Sequence, residues 1–119
     1  MTDKKNKIKK IYDIFENIDV SKHYLKIFIM NSLKSPSLIK YRSNIIESNE
    51  LLEVMDLTQY LIASNSKFNK KISKFCINVI NNTIKTFDKT EYQNKYDKAI
   101  SKNVILSLKN LITSLHKFI

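Results

Sequence analysis

His23, His116 and Cys76 are the side chains of this sequence best suited to nucleophilic or metal chemistry. A thiolate–imidazole pair needs the ring within hydrogen-bond reach of the sulfur. A zinc site needs further His, Cys, Asp or Glu at close spacing. Neither histidine is followed at i+3 or i+4 by an acidic, His or Cys residue, and no His-x-x-x-His or Cys-x-x-Cys pattern occurs. Cys76 falls between Phe75 and Val79 on an apolar helical face, so it reads as a buried small hydrophobe rather than a nucleophile. As the only cysteine it allows no intrachain disulfide, which fits a reducing, cytoplasmic setting.

The chain contains no glycine and a single proline, Pro36. Phosphate-cradling loops and nucleophile elbows need the left-handed backbone positions that glycine supplies. The expectation is a non-enzymatic protein with no cofactor and no metal. The Asn81-Asn82-Thr83 sequon falls in a predicted helix and carries no argument.

Binding chemistry is the alternative, and charge is its main signal. The formal net charge is +10, carried by twenty lysines and one arginine, Arg42. Lys, Asn and Ile dominate while Gly, Ala, Arg and Trp are scarce, the bias that a very A+T-rich genome imposes. A reader of phosphate or guanine usually carries Arg, whose planar fork binds bidentately. Base-specific recognition is therefore not expected. Looser electrostatic binding to nucleic acid or to an anionic membrane surface is the second reading.

Lys67, Lys70, Lys71 and Lys74, extended by Lys85, line one side of a predicted helix and form the candidate basic binding face. A second basic cluster spans Lys4 to Lys10. The acidic set Glu47, Glu50, Glu53 and Asp56 is expected to pair with a lysine face in the fold or in a dimer, or to be a solvated face. Tyr12, Tyr24, Tyr41, Tyr60, Tyr92 and Tyr96 can stack on bases but at helical spacing read as packing residues. Ile14, Ile29 and Ile77 fall off the best apolar faces of their helices. With Ile27 and Phe28 beside Ile29, the set Ile27, Phe28, Ile29 and Ile77 is a candidate exposed apolar patch.

The elements that must hold these groups are helical. Ile8, Ile11, Tyr12, Phe15 and Ile18 recur on one face of a first segment, whose lysine-rich opening turns (about residues 1–7) oppose the helix dipole and are expected to fray. A second segment from a Ser21 cap to Leu33 is apolar over a wide arc. Ser35-Pro36 reads as the start of a short helix through Ile46, and Ser48 or Asn49 as the cap of the next, which ends in the turn Ala63 to Lys67. Ser66 opens the clearest amphipathic segment, with Phe68, Ile72, Phe75, Cys76, Ile80 and Phe87 inward. Asp88 or Thr90 opens the last, with Ile100, Leu108 and Leu115 inward and Val104 at the edge of its apolar face.

The fold expected is all-α: a compact single-domain helical bundle of about five helices over residues 1–119. No apolar run is long enough to span a bilayer, and no secretory signal pattern opens the chain. In size, basicity and helical character the chain resembles the small bacteriocin self-immunity proteins of A+T-rich Gram-positive bacteria. It is also similar in size to compact helical viral proteins that bind host factors, including Bcl-2-like ones. The Gly-containing groove signature of the cellular Bcl-2 family is absent. Neither resemblance rests on a motif. The leading expectation is a helical binding or adaptor protein that engages another macromolecule, most simply another protein, through an amphipathic helix face. A homodimer through exposed apolar surface belongs to the same reading.

Overall fold

The computed structural model describes residues 2–34 and 36–119. Among them the chain forms five helices and no strand: α1 (Thr2–Ser32), α2 (Ser37–Lys40), α3 (Arg42–Ala63), α4 (Asn69–Lys89) and α5 (Lys95–Phe118). The four long helices pack in a square, α1 against α5 and α3, and α4 against α3 and α5. Neighbours run antiparallel. Asn17 bonds Ser114 and Asn31 bonds Asp97 along the α1–α5 seam, and Asn44 bonds Thr90 between α3 and α4. The result is a rod of 54 × 22 × 20 Å. The 31 residues of α1 account for about 46 Å of its length at about 1.5 Å per residue.

Two expected caps are interior positions. Ser21 is fully buried inside α1, in the inward stripe Ile14, Ile18, Ser21, Leu25, Phe28 and Ser32. That stripe advances in alternating steps of four and three residues, so the helix has no reason to stop at the serine. Ser48 is likewise buried inside α3 between Ile45 and Leu51. Small polar residues recur at such seams. Thr58, Ser73 and Thr83 each satisfy their hydroxyl on the carbonyl four residues back. The hydroxyls of Ser21, Ser32 and Ser48 have no partner.

The helix ends follow local chemistry. Pro36 is the N-cap residue of α2, one place earlier than its expected first helical position, and no side chain caps that end. The expected Ser35 cap lies outside the described residues. After α3, Asn65 adopts φ 52°. The Asn65 N–H bonds the Ile62 carbonyl and the Ser66 N–H bonds that of Leu61, a Schellman closure with asparagine where glycine usually sits. Ser66 lies ahead of α4 rather than at its cap; Phe68 is the cap, and its N–H bonds Ser66 Oγ at 3.1 Å. Asp88 belongs to α4, and Thr90 closes it by donating to the Thr86 carbonyl. The cap of α5 is Asn94, whose side chain accepts the Asp97 N–H at 2.8 Å.

Two apolar faces are rotated from the sequence expectation. On α4 the inward residues are Ser73, Cys76, Ile77, Ile80, Thr83, Ile84 and Phe87, while Phe75 is 53% exposed. Val104 lies at the centre of the buried stripe of α5, not at its edge. One end of the core is aromatic. Phe28 meets Phe87 at 4.8 Å and Tyr41 at 5.6 Å between ring centres, and Tyr41 meets Tyr92 at 5.8 Å.

Candidate interaction surface

The α4 backbone turns its buried stripe to the core and leaves its lysines in solvent. Lys70, Lys71, Lys74 and Lys85 are exposed, as is Lys67 in the preceding turn. Lys85 follows Lys74 by three turns and lies nearly in phase with it. No Asp or Glu occurs between Asp56 and Asp88, so this face holds no carboxylate of its own to neutralise it. The Lys67 ammonium sits over the Phe68 ring at 5.2 Å. Phe68 and Phe75 are both about half exposed at the α3-side margin of the face, so it offers aromatic surface as well as charge.

The amino-terminal lysines join this surface. Asp3, Asn6, Lys7 and Lys10 of α1 line a groove of about 420 Å³ together with Asn69 and Lys70 of α4 and Phe118 of α5, so one carboxylate stands among these cations. On the α5 side, Lys74, Ile77, Asn78, His116 and Ile119 line a shallower groove of about 340 Å³. The lysine face is thus flanked by one polar and one apolar furrow.

The expected apolar patch does not assemble. Phe28 is 1% exposed and Ile77 7%, both core residues; Ile27 and Ile29 are half-buried at the two flanks of α1. Ile14, also expected at a periphery, is fully buried. A helix packed on two neighbours buries a broader arc than the best single apolar face, and this draws Phe28, Ile77 and Ile14 inward.

The acidic set divides. Asp56 forms an ion pair with Lys22 of α1. Glu47 lines a polar groove of about 500 Å³ with Lys40, Lys89 and Glu91, while Glu50 and Glu53 are exposed.

The reactive types lie on three different helices. His23 is exposed on α1 and edge-on to the Tyr24 ring at 5.4 Å, whereas His116 lies on α5. Cys76 is fully buried, and that burial pushes its thiol up to about 11, against a smaller lowering by a bond to Thr58. Among the described residues, no group of three His, Cys, Asp or Glu side chains could hold a metal ion, and no helix is long and apolar enough to cross a membrane.

The polar centre that sequence pattern did not reveal is Asp97. It is 3% exposed, accepts from Asn31 Nδ2 on Oδ1 and from the Tyr41 hydroxyl on Oδ2, both at 2.8 Å, and has neutral donors on each side. Tyr41 is itself fully buried, and that burial, with the adjacent carboxylate, raises its phenol above the ordinary value. Tyr92 donates to the Phe87 carbonyl and accepts from Ser101. Every member of this cluster is engaged with another part of the same chain, which makes it a fastener rather than a ligand site.

Compared with known proteins, the chain matches no family model, no curated protein and no solved structure.

Proposed function

We propose that this is a non-catalytic binding protein that engages an acidic partner protein through the solvent face of α4. The observation that carries the reading is the exposed row Lys67, Lys70, Lys71, Lys74 and Lys85, in a stretch of chain without Asp or Glu, with Phe68 and Phe75 exposed beside it. Charge of one sign steers an oppositely charged partner, and aromatic surface at the contact supplies the area that desolvation rewards. The scarcity of arginine favours a protein over a base-reading role. The burial of Cys76, which keeps its thiol from solvent, supports a role without turnover.

The test is affinity capture from the native host, identification of the partner, and calorimetric titration of wild type against Lys70→Glu/Lys71→Glu/Lys74→Glu and Phe75→Glu. Both variants are expected to weaken binding at least about tenfold, as truncation of hot-spot residues does. Unchanged affinity would remove the α4 face from the reading. Turnover that disappears on truncating one side chain would overturn the non-catalytic part. Capture of nucleic acid instead, with a steep inverse salt dependence, would replace the protein partner with a phosphate backbone.

A further inference from the structure

We infer that the end of the rod built from the last turns of α1 and from α2 docks on an anionic lipid bilayer surface. Ile39, on α2, is 82% exposed, and Met30, Leu33 and Leu38 are exposed beside it in the chain. None of the residues of α2 is buried. Four aliphatic or thioether side chains therefore stand in water within a short stretch where the fold gives them no core to fill.

Their charged surroundings have one sign along the chain. Lys26, Lys34, Lys40 and Arg42 are exposed, and no Asp or Glu occurs between Asp19 and Glu47. Of the carboxylates from other segments, Asp97 is buried and bonded to Asn31 and Tyr41, while Glu47 and Glu91 share a groove with Lys40 and Lys89.

Apolar side chains at a tip, with cations and no carboxylates in the same segment, match the two signals that hold a peripheral protein at an anionic membrane: insertion below the headgroups and attraction to them. The exposed set is too few residues for the roughly 800 Å² per partner of a stable protein interface. It contains none of the aromatic rings on which single-stranded bases stack. No described helix can cross the bilayer, so the contact is an end-on one at the interface. It uses residues separate from the α4 face and can fail or stand without it.

The experiment is co-sedimentation with vesicles of phosphatidylglycerol and phosphatidylcholine, compared with phosphatidylcholine alone. Wild type is expected to pellet with the anionic vesicles only, and less as salt rises. Ile39→Asp is expected to lower the partition coefficient at least about tenfold, and Lys34→Glu/Lys40→Glu to do the same. The α4 variants Lys70→Glu/Lys71→Glu/Lys74→Glu and Phe75→Glu are expected to bind like wild type. Because the chain has no tryptophan, Ile39→Trp gives a single reporter whose emission is expected to shift to the blue on anionic vesicles. Absence of wild-type binding to the anionic vesicles would overturn the proposal. So would Ile39→Asp bound as tightly as wild type, or binding lost with the α4 lysines while the tip is intact. Thermal melts of each variant establish that it is folded, as Ile39 is too exposed to support the core.

Discussion

The Tyr41 hydroxyl donates to Asp97 Oδ2 at 2.8 Å and accepts the Gln93 N–H at 2.8 Å, tying the start of α3 to the α4–α5 turn and to the first turn of α5. Asn31 of α1 completes the carboxylate's set at 2.8 Å. Three long helices and a connection thus converge on one buried acid, all of whose donors are neutral.

Removing the phenol oxygen should therefore cost more than one ordinary hydrogen bond. Tyr41→Phe leaves Asp97 Oδ2 buried without its donor, and the expected loss is about 2 kcal/mol in urea unfolding. A double-mutant cycle with Asn31→Ala is expected to be non-additive, since both residues serve the same carboxylate. A Tyr41→Phe loss within experimental error would show that the network adds nothing.

Stability should fall on the alkaline side. The folded Cys76 thiol is held up to about 11, so between its ordinary value and that figure the unfolded chain releases a proton that the folded chain keeps. The contribution is fully present below the ordinary value and lost as pH climbs through the folded one. At about 1.4 kcal/mol per unit it amounts to roughly 2–3 kcal/mol. Tyr41 and Tyr92, both raised chiefly by burial, continue the decline at higher pH. Urea unfolding at stepped pH is expected to show the fall, and Cys76→Ala to flatten its first part.

The unpartnered hydroxyls offer the opposite sign. Ser21 and Ser48 are buried in helix interiors with no hydrogen-bond partner. Ser21→Ala and Ser48→Ala each remove a desolvated polar group and add helix propensity, so each is expected to stabilise by about 1 kcal/mol. A melt lowered by either change would mean that the hydroxyl is satisfied in solution.

At Asn65 the backbone decides. Its φ of 52° crowds any β-carbon against the following carbonyl; asparagine offsets that cost through local hydrogen bonding by its short polar side chain, which alanine lacks. Asn65→Ala is expected to cost about 1 kcal/mol and Asn65→Gly to be close to neutral or slightly stabilising, read by thermal melts. Equal effects of the two changes would refute the Schellman closure.

Helical periodicity carried most of the architecture because apolar residues at three- and four-residue steps have few other solutions. It failed at residues that are small and polar yet inward. Counting only apolar side chains breaks α1 at Ser21 and α3 at Ser48, although the stripes through Leu25 and Leu51 continue in phase. The same habit rotates the face of α4 toward Phe75 and away from Ser73 and Thr83. The α4 lysines were legible because exposed charge needs no tertiary information. The α1–α2 tip was not, since Met30, Leu33 and Ile39 look like any inward apolar residues until packing leaves them out. Its one signal in the sequence was the long interval without an acid before Glu47. Tyr41 and Asp97, 56 residues apart, carry no local signature at all.

The lateral bonds of α1 have a further effect. Asn17 and Asn31 reach toward α5 from one flank of the helix, while Lys22 reaches toward Asp56 of α3 from the other. Four antiparallel rods can be threaded in a left- or a right-turning order with nearly the same oily interior. In the mirror-image order, Lys22 would look at α5 and the two asparagines at α3, and all three would lose their mates. These few polar side chains therefore favour one handedness of the chain path over the other, a choice that burial of the inward stripes alone constrains less.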